Sequence, residues 1–326
     1  MRILTGSEIF NANFAGSVVT IGNFDGVHRG HVTLLRHLKQ QSLQIGFPSV
    51  VVTFDPHPLG LLAPEVAPPL ITTLEQKAAL IADEGIDCLV VINFTMSFSK
   101  ISAESFVRDL LCNALGMRHI IIGHDYAFGR DRQGNFETLA RMADEYSFTL
   151  EGLDPVGDDD FVYSSSLVRR MVAEGDVSGA ARILGRYHVV SGQVAHGHKI
   201  GQALGFPTAN ITTSNELIPS DGVYAVMVAV EGELHQGACN IGTSPTFDDR
   251  ERTLEVFLLD YSGDLYDKKL AVCFVQRLRG EKKFPHLDSL IQAIQQDVLT
   301  SRTVLSNIDT SMVKPLSTTG HAKESM

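Results

Sequence analysis

The spacing of the apolar runs changes near the middle of this chain, and this change limits the possible folds. In the first half, short runs that are apolar along their whole length alternate with stretches of helical period. The predicted strands are residues 18–21, 50–54, 88–92, 120–122 and 148–153, and the predicted helices are 31–41, 74–84, 103–115 and 136–145. Strands apolar on both faces are typical of a parallel sheet covered by helices. The first half is therefore predicted to be α/β, with a doubly wound sheet.

The second half has a different pattern. Two predicted helices, 166–174 and 177–184, end at Gly185, and closely spaced strands follow at 189–194, 222–230, 234–241, 253–259 and 269–276. Such strands, separated by tight turns, predict an antiparallel barrel or sandwich. A helix over 287–299 is expected to pack outside it. The predicted domains are 1–185 and 186–305, followed by a disordered tail at 306–326.

Composition and charge exclude several classes of protein. A chain of 326 residues that is 44% hydrophobic can bury the cores of two domains. The net charge of −11 argues against binding to a nucleic-acid backbone. No run of eighteen apolar residues and no leader are recognisable, which predicts a cytoplasmic protein that does not enter membranes. The four cysteines form no CxxC pair, so buried reduced thiols are expected.

The segment TIGNFDGVHRGH, residues 20–31, directly follows the first buried strand of this pattern. In open α/β sheets, ligands bind beyond the carboxyl ends of the strands, where glycines allow phosphate to approach the backbone at a helix N-terminus. Gly22, Gly26 and Gly30 fit that use. If a helix begins at His31, His28 lies in the turn before it and both rings can donate hydrogen bonds to phosphate. A plain loop is the alternative interpretation.

Three further clusters follow later strands or begin a helix. Asp55 and His57 of TFDPHP are expected to line the same pocket, although a rigid turn would explain them equally well. Asp125, Arg130 and Arg132 lie near glycines after a later strand. The segment YSSSLVRR places Ser164, Ser165, Ser166 and Arg169 at a helix start, which suits either helix capping or triphosphate binding. No P-loop motif occurs.

The segments IGNFDGVHRGH, TFDPHP, GHDYAFGRDRQG and SSSLVR, in this order and spacing, resemble the FMN adenylyltransferase half of bacterial bifunctional riboflavin kinase/FAD synthetases. The segments GQVAHGHKIGQALGFPTANI, GVYAV, NIGTSPTF, LEVFLLD and LRGEKKF resemble the riboflavin kinase half. The resemblance implies a nucleotidyltransferase domain with a doubly wound parallel sheet, then an antiparallel β-barrel domain with a C-terminal helix. It also implies phosphorylation of riboflavin to FMN, then adenylylation of FMN to FAD with release of pyrophosphate.

For the adenylyltransferase, the resemblance implies His28 and His31 as catalytic residues that contact the phosphates. It implies an ATP site formed by Gly22, Asn23, Phe24, Asp25, Gly26, His28, His31, Asp125, Ser164, Ser165, Ser166 and Arg169. The flavin would be bound by Asp55, Pro56, His57 and Arg132. The phosphate of FMN is already ionised, so this reaction needs no general base and depends on positioning and charge neutralisation.

For the kinase, the resemblance implies Glu255 as the general base and Thr208 and Asn210 as ligands of Mg²⁺ and phosphate. ATP and flavin would contact Gly197, Gly201, Gly205, Phe206, Pro207, Thr208, Asn210, Asn240 and Arg279. A turn with local hydrogen bonds is the alternative for Thr208 and Asn210, and an outward strand position is the alternative for Glu255.

The kinase half departs from the family pattern at Gln202, Ser244 and Phe257, which stand where arginine, arginine and histidine are common. An adenylyltransferase with an impaired kinase half therefore stays open, as does a flavin-binding protein without catalysis. A different HxGH nucleotidyltransferase would not need the GFPTAN segment, and a class I aminoacyl-tRNA synthetase would need a KMSKS-like loop. The expected partners are riboflavin, FMN and ATP, with no nucleic acid and no membrane, and the chain is expected to be a monomer or a weak homo-oligomer.

Overall fold

The computed structural model describes residues 1–123, 126–195, 205–243 and 252–315. Contacts between Cα atoms divide the chain into two compact units. The first unit comprises Met1–Pro69 and Lys77–Ser164, and the second comprises Leu70–Gln76 and Ser165–Met326. The domain boundary predicted at Gly185 stays a prediction, because a division into compact units does not show where a functional domain begins.

The first unit contains a six-stranded sheet whose pairings are all parallel. Its strands are β1 (Arg2–Thr5), β2 (Ser17–Ile21), β3 (Ser49–Asp55), β4 (Cys88–Asn93), β5 (Met117–Gly123) and β6 (Thr149–Leu153), in the order β1-β4-β3-β2-β5-β6. The strand order reverses between β2 and β5, and a ligand site is expected at such a point. The predicted parallel α/β sheet is confirmed, and β1 is an edge strand that the sequence pattern did not reveal.

The helices that accompany this sheet follow its strands along the chain. They are α1 (Arg29–Ile45), α2 (Pro58–Leu62), α3 (Leu74–Asp83), α4 (Ala103–Ser105), which continues as a π-helix over Phe106–Ala114, and α5 (Phe136–Tyr146). The strands carry the buried core, since Val19, Val50, Val52, Val90 and Ile120 are fully buried. The core thus lies where the uninterrupted apolar runs predicted it.

The second unit contains a closed antiparallel barrel. Its strands are β7 (His188–Ala195), β8 (Ala209–Thr213), β9 (Gly222–Val230), β10 (Glu233–Thr243), β11 (Arg252–Leu258) and β12 (Lys269–Arg279), in the order β10-β11-β8-β7-β12-β9. The helices are α6 (Ser165–Glu174), α7 (Val177–Leu184) and α8 (Leu287–Leu305). The predicted barrel with a C-terminal helix is confirmed, whereas β8 lies where the sequence predicted no strand.

The C-terminal region is ordered further than expected. Residues 306–315 were expected to belong to a disordered tail, but Val313 is buried and the backbone N–H of Tyr187 donates to the carbonyl of Met312 at 3.1 Å. Residues 316–326 lie outside the described residues. No helix within the described part of the chain is long and apolar enough to cross a membrane.

Candidate active sites

The loop between β2 and α1 holds two histidine rings in contact. Helix α1 begins at Arg29, two residues earlier than predicted, with His28 as its N-cap and His31 in its first turn. The rings of His28 and His31 stack with centroids 3.7 Å apart. His28 is buried, and the ring of Phe24 lies 5.1 Å from that of His31. The structure therefore brings both histidines to the N-terminus of a helix at the carboxyl edge of the sheet, where an anion is favoured.

Packing explains two of the glycines in this loop. A Cβ on Gly30 would lie 3.1 Å from the ring of His28, and one on Gly22 would lie 2.9 Å from the ring of Phe24. A side chain at either position would push these rings away. The motif predicts that these glycines let phosphate approach the backbone, and in the structure they also make room for the rings of His28 and Phe24.

The turn after β3 is linked to the loop after β2. Strands β2 and β3 pair in parallel from Val18↔Ser49 to Ile21↔Val52, so their carboxyl ends meet at one edge. The amide Nδ2 of Asn23 lies 3.1 Å from Nε2 of His57. The hydroxyl of Thr53 donates to the backbone carbonyl of Asn23 at 3.2 Å. The two segments that the sequence analysis singled out separately are therefore joined by direct hydrogen bonds.

An aromatic cavity of about 610 Å³ opens beside this junction. Its volume falls within the range of small-molecule sites, about 300–1,000 Å³. Asn23, His57 and Arg132 line it, whereas Asp55 and Pro56 do not contribute to the described lining. The aromatic lining consists of Phe54, Phe94, Phe98, Phe106, Tyr126 and Phe128. Most of these rings were not predicted for the site, although Phe94 and Phe98 follow the carboxyl end of β4, where ligands of a parallel sheet bind.

The remaining residues predicted for this site are distributed as follows. Arg132 is exposed and has a positive φ of 57°. Ser164 is the last residue of the first unit, and Ser165, Ser166 and Arg169 lie on α6 in the second unit. Their participation in a nucleotide pocket stays a prediction. Asp125 lies outside the described residues.

In the second unit, three polar residues form a row across neighbouring strands. Glu255 on β11 lies opposite Asn210 on β8 and opposite Asn240 on β10. Directly opposed residues project to the same face of a sheet. On β11, Leu254 and Val256 are buried and Glu255 alternates with them. Glu255 thus has the outward strand position that was the alternative interpretation for this residue. Asn210 and Asn240, which were both predicted for the kinase site, project to the same face.

Glu255 is an outward residue with a perturbed carboxyl group. Burial raises the pKa of Glu255, and hydrogen bonds from the hydroxyls of Thr253 and Thr208 act in the opposite direction. A carboxylate with a raised pKa is a stronger proton acceptor. The contact also brings Thr208 next to the row of Asn210, Glu255 and Asn240. The arrangement can accept a proton from a hydroxyl placed beside it.

These residues also provide oxygen ligands for a hard cation. Threonine hydroxyl, asparagine amide and carboxylate oxygens are the types that Mg²⁺ prefers, and it usually binds through a few side chains together with substrate phosphates. No group of three or more His, Cys, Asp or Glu residues suited to a metal is present in the described parts of the chain. Thr208 and Asn210 carry oxygen donors of these types, and their role as ligands stays a prediction.

Two other predicted residues of the kinase half make specific contacts. The ring of Phe206 meets that of Phe257 edge to face, with centroids 5.6 Å apart, so Phe257 packs on the GFPTAN segment where the family pattern has histidine. Arg279 pairs with the buried carboxylate of Asp297 at 2.7 Å. Gly205 and Pro207 are exposed. Gly197, Gly201, Gln202 and Ser244 lie outside the described residues.

Comparison with protein families divides the chain in the same order as the motifs. The FAD synthetase family matches residues 10–167, and the riboflavin kinase family matches residues 184–305.

Individual relatives resemble the chain along nearly its whole length. The bifunctional riboflavin kinase/FMN adenylyltransferase of Pseudomonas fluorescens is 40% identical over 93% of this chain and 98% of its own. That of Escherichia coli K12 is 37% identical over 93% of this chain and 97% of its own. Among solved structures, a Streptococcus pneumoniae protein described as a macrolide-efflux protein superposes with a TM-score of 0.84 at 28% identity. The match covers 95% of this chain and 100% of that one.

Proposed function

We propose, since this chain belongs to the family of bifunctional riboflavin kinase/FMN adenylyltransferases, that its two activities are carried by separate sets of residues. The chain is an enzyme of flavin cofactor synthesis that phosphorylates riboflavin to FMN and adenylylates FMN to FAD. The observation that carries the division is that the His28 loop and the aromatic cavity belong to the first unit, whereas Glu255 and its neighbours belong to the second.

In the kinase reaction, the carboxylate of Glu255 accepts the proton of the riboflavin 5′-hydroxyl as that oxygen attacks the γ-phosphorus of ATP. The raised pKa of Glu255 supports this role, because it matches the base more closely to neutral pH. Thr208 and Asn210 would hold Mg²⁺ with the phosphates. The ion would offset the negative charge of the triphosphate.

In the adenylyl transfer, the phosphate of FMN attacks the α-phosphorus of ATP and pyrophosphate leaves. The nucleophile is ionised, so the protein needs to orient two anions and stabilise the charge that shifts between them. His28 and His31, whose rings stack at the start of α1, would donate hydrogen bonds to phosphate oxygens. The aromatic cavity suits the flat ring system of a flavin, which stacks on such side chains.

The proposed substrates are riboflavin, FMN and ATP, and the proposed location is the cytoplasm, with no nucleic-acid or membrane partner. A monomer or a weak homo-oligomer is consistent with this scheme. An adenylyltransferase with an impaired kinase remains the second candidate, because Phe257 takes the place of a common histidine and packs on Phe206.

The products distinguish these possibilities. Riboflavin with ATP must yield ADP and FMN, and FMN with ATP must yield pyrophosphate and FAD. Both products are expected from one preparation. A protein that retains flavin but releases neither ADP nor pyrophosphate would overturn the proposal in favour of a carrier, and Thr208→Ala would then leave flavin binding intact.

A further inference from the structure

Asp297 on α8 is a buried carboxylate to which the sequence motifs give no role. It forms an ion pair with Arg279, the last residue of β12, and the two side chains are only 13% and 20% exposed. Oδ1 of Asp297 accepts from Nε of Arg279 at 3.0 Å, and Oδ2 accepts from Nη2 at 2.7 Å. Because the loss of one partner from a buried ion pair leaves an uncompensated charge, the two residues depend on each other.

Strand register places Arg279 in line with the polar row of the second unit. Asn240 on β10 lies opposite Val223 on β9, and Val223 lies opposite Arg279 on β12. The row of Asn210, Glu255 and Asn240 therefore extends through Val223 to Arg279. Neighbouring strands lie about 4.8 Å apart, so three spacings, or about 14 Å of barrel wall, separate the backbones of Glu255 and Arg279.

Helix α8 lies outside the closed barrel, against β9, β10 and β12. Asp297 belongs to this helix, so its contact with Arg279 shows that the guanidinium points out of the barrel. Glu255 also projects outward, because it alternates with the buried Leu254 and Val256. Arg279 and Glu255 therefore belong to the same outer face.

The order of the row separates two kinds of substrate contact. Under the kinase function proposed above, Glu255 meets the reacting hydroxyl of riboflavin, and Asn210 meets the phosphates of ATP with Mg²⁺. The attacking and leaving oxygens of a phosphoryl transfer lie roughly in line, so flavin and ATP approach from opposite sides. Asn210 lies on one side of Glu255, on β8, whereas Arg279 lies on the other side, beyond β10 and β9. Arg279 is thus on the flavin side.

The pairing with Asp297 also determines what Arg279 can bind. Among the described residues, Asp297 and the carbonyl of Gly280, at 3.1 Å from Nη1, engage three of the five N–H donors of the guanidinium. Two donors remain for a substrate. The carboxylate beside it offsets the positive charge, so Arg279 suits an uncharged acceptor, such as a flavin carbonyl, better than a triphosphate. The ring of Phe284 lies 5.6 Å from the guanidinium and also restricts it.

We propose that Asp297 is a positioning residue for riboflavin phosphorylation, which holds Arg279 so that its two remaining N–H groups donate to an uncharged oxygen of the flavin. This inference rests on the kinase function proposed above. Asp297 acts through Arg279 and needs no contact with the substrates. Its loss should therefore weaken the binding of riboflavin much more than the binding of ATP.

The test uses full-length Asp297→Asn, which keeps the shape of the side chain and removes its charge. KM for riboflavin should rise by about 10-fold to 100-fold, the scale of a hydrogen bond to a charged group. KM for ATP and kcat should change far less, and conversion of added FMN to FAD should continue at the wild-type rate. Asp297→Glu should recover most of the affinity for riboflavin, because it restores the carboxylate.

A second ion pair of the same helix provides the matched control. Asp260 is exposed and pairs with Arg302 on α8 at 2.6 Å, so Asp260→Asn should leave both KM values unchanged. Arg279→Met should also raise KM for riboflavin. Asp297→Asn should then add little to that increase, because the effects of residues in contact are not additive. A purely structural role would not produce this split between the two KM values.

Each contrary result has a distinct meaning. If Asp297→Asn keeps the wild-type KM for riboflavin, or raises KM for ATP instead, the inference is wrong while the proposed function stands. The same conclusion follows if Asp297→Asn and Asp297→Glu both lose the two activities together with a fall in melting temperature. If the wild-type chain forms no FMN from riboflavin, the proposed kinase function fails and the inference fails with it.

Discussion

Gln76 and Asn215 exchange two side-chain amide hydrogen bonds, although they lie 139 positions apart in the chain. The amide Nδ2 of Asn215 donates to Oε1 of Gln76 at 2.8 Å, and Nε2 of Gln76 donates back to Oδ1 of Asn215 at 3.3 Å. Both residues are almost fully buried. The backbone N–H of Ser191 on β7 also donates to Asn215. The segment Leu70–Gln76 is thereby fixed to the barrel unit.

This pair predicts a stability effect at Asn215. Asn215→Ala removes two hydrogen bonds from the buried amide of Gln76, which keeps those to Thr73 and Ser191, and it removes the side-chain acceptor of the Ser191 N–H. The free energy of unfolding should therefore fall by about 1–3 kcal/mol. Urea denaturation of the full chain followed by far-UV circular dichroism measures this difference. Asn11→Ala is the control, because Asn11 is exposed. Equal stability of the two variants would show that the amide pair contributes nothing.

The base role of Glu255 predicts a selective loss. Glu255→Gln keeps the shape of the side chain but removes the proton acceptor, so FMN formation should fall by about 100-fold to 10,000-fold. Conversion of added FMN to FAD should continue at the wild-type rate. Chromatographic separation of the three flavins measures both reactions in one sample. Full kinase activity in this variant would exclude Glu255 as the base.

The histidine pair predicts the reverse selectivity. Replacement of both His28 and His31 by alanine should reduce FAD formation by at least about 100-fold, since removing one preorganised donor commonly costs that much. Riboflavin phosphorylation should be unaffected. A folded double variant that lost both activities would contradict the division of labour.

His119 predicts a pH-dependent stability outside the sites. The pKa of His119 is lowered, mainly by burial and further by the charge of His37. The carboxylate of Glu151 acts in the opposite direction but does not cancel this effect. Glu151 contacts both rings, at 2.8 Å from His37 and 3.5 Å from His119. The unfolded chain therefore binds a proton more readily, and stability should decline as pH falls below the ordinary histidine pKa, about 6.5.

The pH effect is measured by comparing melting temperatures between pH 7.5 and pH 5.5. The drop should be larger for the wild type than for His119→Gln, which cannot titrate. A matched change at the exposed His286 should leave the wild-type drop intact. Equal drops in the wild type and His119→Gln would show that this histidine does not control acid stability.

Local pattern was sufficient to predict the parallel sheet, the barrel and the placement of His28 and His31, because each depends on periodicity or on neighbours in sequence. Strand β8 could not be predicted, since its two register partners on β11, Glu255 and Val256, are distant in sequence. The pairing of Gln76 with Asn215 was unpredictable for the same reason. These contacts join segments that approach each other only after the chain has folded.

The most direct test of the account is a chromatographic time course of the purified wild-type chain with riboflavin, ATP and Mg²⁺, beside a reaction started from FMN. The account predicts that riboflavin is converted to FMN and then to FAD, and that FMN alone is converted to FAD. If only the FMN reaction gives FAD, the departures at Gln202, Ser244 and Phe257 have removed the kinase step and the bifunctional account is wrong. If neither reaction proceeds, the chain is not a flavin-synthesising enzyme.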